Sequence, residues 1–183
     1  MDRYLNFNEL TKHETDFTLV CHDRNADVTI VAPHGGKIET HTSEIAALIA
    51  ADDCNLFCFN GMKEKNNQAL HITSHRFDHK LAVDLVKNSS VVITIHGCTD
   101  KHSVMYLGGL DGPLLEKIAD ELTLENIRNL PGSQRFAGTS KNNICNRGLR
   151  KKGVQIEISR PLRNSKEANQ IISAAVRRAI ALR

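Results

Sequence analysis

Short apolar runs that alternate with amphipathic helical segments are the feature that most restricts how this chain can fold. Ser90–Ile95 (SVVITI) is the most β-branched run of the sequence, and it predicts a central strand that is buried on both faces. Other apolar runs, each followed by turn or loop residues, predict further strands. These predicted strands are Asp16–Cys21, Val28–Ala32, Asn55–Phe59, Ser103–Leu107 and Val154–Ile158.

Helices are predicted between these strands, where apolar residues recur three and four positions apart. Ile45, Leu48 and Ile49 form such a stripe in the first of them. Because strands and helices alternate along residues 1–183, we predict a single α/β domain with three layers, α/β/α, around a central mixed, largely parallel sheet. The active site of such a sheet lies at the carboxyl ends of its strands. The predicted helices are Glu44–Ala51, Phe77–Lys87, Pro113–Leu122 and Asn164–Leu182.

Composition restricts the class of protein. The formal net charge of +3 is mildly basic, and lysines and arginines are scattered except in Arg147–Lys152 (RGLRKK), so we expect no nucleic-acid partner. The five cysteines show no C-x-x-C spacing, which predicts reduced thiols. Met1–Leu10 is polar, and no apolar run reaches the length of a membrane span. We therefore expect a monomer made in the cytoplasm, without signal peptide or membrane partner, that can act outside the cell after lysis.

Two histidines and two glutamates lie where the predicted strands meet loops. His34 and Glu39 follow Val28–Ala32 in the string PHGGKIE, His96 follows the SVVITI run, and Glu157 lies inside the last predicted strand. Zinc favours imidazole and carboxylate ligands, and a catalytic site uses three of them and keeps one position for water. His34, Glu39 and His96 are therefore candidate ligands of one zinc ion per chain. Glu157 would take a proton from the activated water, unless it faces solvent and the histidines are ordinary loop residues.

Three separated motifs resemble the phage and Bacillus-type poly-γ-glutamate hydrolase family, whose members were formerly labelled phage-related replication proteins. The resemblance implies a zinc carboxypeptidase-like fold, with His34, Glu39 and His96 as zinc ligands and Glu157 as the general base. Four residues separate His34 from Glu39, which is a wider spacing than in carboxypeptidases, so Glu44 is an alternative ligand. The motifs are PHGGKIETHTSEIA at Pro33–Ala46, ITIHG at Ile93–Gly97 and GVQIEISRPLR at Gly153–Arg163.

The resemblance also implies internal cleavage of the γ-glutamyl amide bonds of poly-γ-glutamate, an anionic polymer. Guanidinium and ammonium groups bind carboxylates, so the site is expected to contain arginine and lysine side chains. Arg147 or Arg76 is expected to stabilise the oxyanion of the reaction. The predicted substrate-binding residues are Lys37, His75, Arg76, Arg160 and Arg163.

Other functions compatible with these residues stay open at this point. A zinc amidohydrolase of small N-acyl or N-formyl amino acids needs the same ligands. A non-catalytic nucleic-acid-binding replication protein needs a wide basic face, and a polymer-binding protein needs no metal.

The polar segment around His75 predicts that a helix begins after it, which leaves His71 and His79 with structural or exposed positions. Pro131–Lys152 is expected to be a functional or disordered loop.

Overall fold

The sheet is the centre of the fold. The computed structural model describes residues 2–133 and 136–182, and within them seven strands form one sheet in the order β1-β3-β2-β4-β7-β5-β6. Helices cover both faces of it, and two 3₁₀ turns, Asn67–Leu70 and Ile144–Arg147, lie in its connections. The strands are β1 Phe17–His22, β2 Val28–Gly36, β3 Asn55–Gly61, β4 Val91–Cys98, β5 Met105–Gly109, β6 Asn129–Pro131 and β7 Val154–Ser159. The helices are α1 Phe7–Leu10, α2 Thr42–Ala50, α3 Lys80–Lys87, α4 Gly112–Leu124, α5 Arg160–Arg163 and α6 Lys166–Ala181.

The four central strands run parallel to one another. β3, β2, β4 and β7 are paired in parallel, while β1 joins β3 and β5 joins β7 in antiparallel pairs. β6 adds to β5 in parallel. The prediction of a mixed, largely parallel sheet is therefore confirmed. Because the central strands are parallel, the carboxyl ends of β2, β4 and β7 meet at one edge of the sheet, which is where ligands bind in this architecture.

The helical layers follow from the two-residue period of the central strand. In β4, Val91, Ile93 and Ile95 pack into the core beneath α2, α4 and α6, whereas Val92 packs with α3 on the opposite face. The predicted α/β/α layering, with SVVITI buried on both faces, is confirmed. Full burial of such an aliphatic side chain stabilises the fold by about 1.5–3 kcal/mol. Within the described residues, no helix combines the length and apolar character that crossing a bilayer requires.

Several predicted boundaries are corrected by tertiary packing. The helix expected from Phe77 begins at Lys80, and the Phe77 ring is fully buried in the core on the face of the sheet that packs with α3. The predicted terminal helix Asn164–Leu182 corresponds to α6, which begins at Lys166 after Ser165, whose side chain accepts a hydrogen bond from the Ala168 amide at 3.2 Å. The short helix α5 precedes it and was not predicted. The long segment after Pro131 has a 3₁₀ turn and many hydrogen bonds, although its residues 134 and 135 lie outside the described part of the chain.

Candidate metal centre

His34 reaches the centre through an irregularity at the end of β2. The pairing of β2 with β3 shifts between Ala32 and Gly35, so the strand is bent where His34 leaves it. The Glu39 amide then donates a hydrogen bond to the His34 carbonyl at 2.8 Å. This bond closes the loop and brings Glu39 close to His34. Gly36 has a φ of 62°, a conformation that glycine adopts without strain. This loop accounts for the wide spacing of the two predicted ligands.

His96 and Glu157 are placed by strand register. They are Cα partners in the parallel pair of β4 and β7. Paired residues of neighbouring strands point to the same face of a sheet, so both side chains project toward the same region. Both are almost fully buried. The two motifs that carry them, far apart in sequence, therefore meet at the edge that also carries His34.

Three donor atoms converge at this edge. The Nδ1 atoms of His34 and His96 lie 3.1 Å apart. Glu39 places Oε1 3.2 Å from the Nδ1 of His34 and Oε2 3.7 Å from the Nδ1 of His96. In tetrahedral coordination with bonds of about 2.0–2.1 Å, donor atoms are separated by about 3.3 Å. The three predicted ligands thus have the mutual spacing that a zinc ion requires.

The other ring nitrogen of each histidine is occupied. Nε2 of His34 donates to the carbonyl of Ile72 at 2.8 Å, and Nε2 of His96 is 3.2 Å from the hydroxyl of Ser74. Because a carbonyl only accepts, a neutral His34 carries its proton on Nε2 and turns a bare Nδ1 toward the carboxylate of Glu39. Two electron-rich atoms at that distance need a cation between them or a proton on the ring. The donor set therefore fits a metal ion, with the outer hydrogen bonds that orient metal-bound histidines.

The charges of His34 and Glu39 depend on each other. Burial is the largest single influence on both side chains and disfavours both charged forms. Their mutual attraction and hydrogen bond, together with Ile72 and Glu157 near His34 and His96 near Glu39, outweigh burial. The net result raises the pKa of His34 and holds the pKa of Glu39 well below its usual range. Glu39 also accepts a hydrogen bond from the Gly97 amide at 2.8 Å. Without a metal the pair is held as an ion pair, and a bound cation would take the place of the His34 proton.

The donors open into a cavity of about 540 Å³. Its lining includes one segment at His71 and residues 73–75, a second at residues 136–140, and side chains of β7. Neutral hydroxyl and amide side chains are part of this lining, and among the described lining residues there is no lysine or arginine. The polar lining groups that bear on the chemistry are those of Thr73, Ser74, Thr139, Ser140, Asn143 and Gln155.

Glu157 lines this cavity and is held by a chain of amides. The Gln155 Nε2 donates to Glu157 Oε1 at 3.1 Å, and the Asn143 Nδ2 donates to Gln155 Oε1 at 2.7 Å. Sequence analysis predicted Glu157 but not the two amides. Gln155 was recognisable in principle, because residues two apart in a strand share a face. Asn143 comes from the long loop, and no pattern in the sequence links it to β7.

His71 is a further residue of the centre that sequence analysis missed. It was predicted to be structural or exposed, but it lines the cavity and its ring stacks on that of His34 with centroids 4.0 Å apart. Burial and the nearby His34 lower its pKa to about 4, which keeps the ring neutral. One donor atom each from His34, Glu39 and His71 lie within 4.8 Å of one another. The prediction that His79 is structural or exposed is confirmed, since its ring packs against Phe7 and Phe57.

The structure corrects the catalytic role predicted for Arg147. Its guanidinium donates to the carbonyls of Asn142 at 2.7 Å, Phe77 at 2.9 Å and His75 at 3.1 Å, and its Nη2 is also 3.4 Å from the carbonyl of Ser74. With its donors directed to these carbonyls, Arg147 braces the wall that carries His75 and is not among the residues that line the cavity.

Arg163, predicted to bind substrate, is also structural in this arrangement. It is almost fully buried, and it donates to the carbonyls of Ile158 at 2.9 Å and Cys98 at 3.2 Å and to Thr40. A side chain at Gly97 would begin only 2.5 Å from the guanidinium carbon, so glycine leaves the space that Arg163 occupies. Arg163 therefore ties the ends of β4 and β7 to the loop before α2.

The remaining predicted substrate residues have different positions. His75 is exposed and lines the cavity. Lys37, Arg76 and Arg160 are exposed and lie outside the cavity lining. The expectation of an arginine- and lysine-lined cleft is thus not met by the described residues around the donors.

Comparison with known proteins gives consistent matches. A model of the family described as poly-gamma-glutamate hydrolase matches residues 4–178. The SPbeta prophage-derived UPF0714 protein YoqZ of Bacillus subtilis (strain 168) is 35% identical over 162 residues, which are 86% of this chain and 59% of YoqZ. The UPF0714 protein YndL of the same organism is 34% identical over 170 residues, which are 90% of this chain and 66% of YndL. The chain therefore spans only 59–66% of the length of these two relatives.

Two solved structures share the whole fold. The structure of a bacteriophage poly-gamma-glutamate hydrolase superposes with a TM-score of 0.95 at 27% sequence identity, over 100% of this chain and 98% of that one. A zinc-free apo structure of YndL superposes with a TM-score of 0.93 at 28% identity, over 99% of this chain and 98% of that one. These matches confirm the predicted fold class and the family resemblance of the three motifs.

Proposed function

The chain belongs to the poly-gamma-glutamate hydrolase family, and from this premise we propose that it hydrolyses γ-glutamyl amide bonds of poly-γ-glutamate at a zinc centre. His34, Glu39 and His96 hold one zinc ion per chain. The observation that carries the proposal is the convergence of their donor atoms, 3.1–3.7 Å apart, beside the buried carboxylate of Glu157. Zinc as the metal is supported by the zinc-free apo form of the similar protein YndL.

Zinc, when bound, supplies a Lewis acid that polarises the amide carbonyl and makes a water molecule more acidic. Glu157 takes the proton of the attacking water and returns it to the leaving nitrogen, so the amine departs uncharged. Gln155 holds one carboxylate oxygen of Glu157 at 3.1 Å.

The cavity walls are suited to a substrate rich in amides and carboxylates. Hydroxyl and amide donors of Thr73, Thr139 and Asn143 can bind the groups next to the scissile bond. The carboxylates farther along an anionic polymer would meet the exposed cations Lys37 and Arg76 outside the cavity. A polymer that extends past both walls is cut internally, which is the mode that we propose.

A second candidate function is favoured by one observation. A cavity of about 540 Å³ has the size of a small-molecule site, so it is also suited to a small N-acyl or N-formyl amino acid. The same zinc ligands and the same general base would serve this reaction. The two functions differ in substrate length and not in chemistry.

Three variants and two substrates test the proposal. His34→Ala is expected to lose both zinc and activity, whereas Glu157→Gln should bind zinc normally and lose about 10²–10⁴-fold in turnover. His22→Ala changes an exposed histidine on the edge strand β1 and serves as the matched control. The viscosity of a poly-γ-glutamate solution reports internal cleavage, and formate release from N-formylglutamate reports the second function. Near-normal turnover by Glu157→Gln would refute the mechanism, and formate release without a viscosity drop would favour the second candidate.

A further inference from the structure

We propose that His71, oriented by Asp2, is a fourth protein donor for the cation of this centre. The inference rests on the metal centre of the proposed function. It adds to that centre two residues that none of the three sequence motifs contains. It also gives the segment before α1 a role in metal binding.

Asp2 fixes the tautomer of His71. Its Oδ1 accepts a hydrogen bond from Nδ1 of His71 at 2.8 Å, and its Oδ2 accepts one from the Thr73 amide at 2.9 Å. The carboxylate is 5% exposed, so both bonds are shielded from water. With the proton of His71 held on Nδ1, the lone pair lies on Nε2. A carboxylate that fixes the tautomer of a histidine in this way is the arrangement found around metal-ligating histidines.

His71 is also close enough to His34 and Glu39 to bind the same cation. Its ring lies against that of His34 with an angle of 26° between the planes. One ligand atom of His71, one of His34 and one of Glu39 lie within 4.8 Å of one another. The contacts among His34, Glu39 and His96 are shorter, at 3.1–3.7 Å, so His71 supplements His96 and does not replace it. Zinc can bind five ligands, so four protein donors leave one position for the attacking water.

The same N-terminal segment has a second anchor that does not touch the centre. Asp78 Oδ1 accepts a hydrogen bond from the Phe7 amide at 2.7 Å, at the start of α1. Asp2 and Asp78 thus fix neighbouring parts of the chain through carboxylate–amide bonds, but only Asp2 also binds a histidine. Asp78 is therefore a matched control for a purely structural role of Asp2.

The test measures zinc affinity and not only activity. His71→Phe keeps a ring that can stack on His34 but removes both nitrogens, Asp2→Asn removes the charge that orients His71, and Asp78→Asn is the control. The zinc dissociation constant is measured by competition with a chromophoric chelator, and the visible spectrum of the cobalt-substituted chain reports the donor set. We expect His71→Phe to bind zinc about 10–100-fold more weakly, with a changed cobalt spectrum. Asp2→Asn should show a smaller loss in the same direction, and Asp78→Asn should match the parent.

Unchanged affinity and an unchanged cobalt spectrum in both His71→Phe and Asp2→Asn would overturn the proposal. It would equally be overturned if His71→Phe raised KM alone, because His71 would then contact substrate and not the metal. If His71→Phe fails to fold, the zinc affinity and the cobalt spectrum of Asp2→Asn test the proposal instead. A parent chain that binds no zinc would refute the metal centre itself. If the parent binds zinc and cleaves the polymer, and both variants behave like the parent, only the role of His71 is refuted.

Discussion

Gln155 and Glu157 leave the same face of β7, and the amide of one holds the carboxylate of the other at 3.1 Å. The carboxylate is almost fully buried, so its orientation depends on this bond more than on water. Asn143 in turn fixes the orientation of the Gln155 amide at 2.7 Å. At the scale of single residues, the proposed general base is therefore positioned by Gln155, which belongs to the third motif, and through it by Asn143, which lies outside all three motifs.

Replacing Gln155 tests this positioning. Gln155→Leu removes the donor but keeps an uncharged side chain of similar length, so we expect kcat to fall about 10–100-fold, which corresponds to the loss of a hydrogen bond to a charged group. KM and zinc content should stay near the parent values. Asn143→Ala, which acts on Glu157 only through Gln155, should have a weaker effect on kcat. Equal kcat for the parent and Gln155→Leu would contradict the positioning role.

The pair His34–Glu39 predicts how the stability of the metal-free chain depends on pH. The pKa of His34 is raised on folding, so its contribution to the free energy of unfolding is present below about pH 6.5 and is lost as the pH rises through the folded-state pKa. The pKa of Glu39 is lowered, so its contribution is present above about pH 4.3 and is lost as the pH falls through the folded-state pKa. We expect stability to be greatest between these limits. Bound zinc should prevent the fall in the free energy of unfolding at alkaline pH, because it replaces the proton of His34.

Urea unfolding at a series of pH values, with and without zinc, measures this dependence. The free energy of unfolding of the metal-free chain should decline on the alkaline side, and the decline should be absent in Glu39→Gln. A metal-free parent whose stability is flat from about pH 5 to 9 would show that the two side chains do not interact as described.

At the scale of elements, Arg163 joins α5 to the ends of β4 and β7, and Gly97 provides the space for its guanidinium. Gly97→Ala would place a methyl group 2.5 Å from the guanidinium carbon, which hydrogen bonds to several carbonyls prevent from moving. We expect the free energy of unfolding to fall by about 1–3 kcal/mol, measured by urea denaturation. Gly112→Ala in α4 is the control, since nothing lies within 4 Å of the added atom. Equal stability of the two variants would contradict the bracing role of Arg163.

The elements themselves were largely predictable from the sequence. β-Branched and apolar runs predicted the positions of β2, β3, β4 and β7, because a buried parallel strand needs such residues on both faces. The ends were less predictable: β2 continues to Gly36 through a bend that brings in His34, and the short elements α1 and β6 were not predicted. Their formation depends on neighbours distant in sequence and not on any local pattern.

The candidate site was predictable only in part, for the same reason. His34, Glu39, His96 and Glu157 follow or lie within strands whose parallel order brings them to one edge. Local patterns therefore made them candidates, and the resemblance of the three motifs implied their roles. Asp2 and His71 are 69 residues apart and meet through tertiary packing. Arg147 and Arg163 were predicted to act on substrate because a sequence shows their charge but not the backbone carbonyls that their guanidinium groups bind.

At the scale of the whole molecule, three motifs spread from Pro33 to Arg163 converge on a single centre, and the family match over residues 4–178 includes all of them. The cavity beside the centre is polar, and the described residues of its lining include no lysine or arginine. The exposed cations Lys37 and Arg76 lie outside this lining, where we propose that they bind the carboxylates of an anionic polymer.

The central claim is that one zinc ion in the His34–Glu39–His96 centre drives cleavage of the polymer. The most direct measurement removes the metal with a chelator and adds zinc back in steps, while zinc content and the rate of poly-γ-glutamate viscosity loss are followed together. We predict that activity is absent in the metal-free chain, rises in proportion to bound zinc and reaches its plateau at about one zinc per chain. Full activity of the metal-free chain, or one bound zinc without any loss of viscosity, would contradict the account.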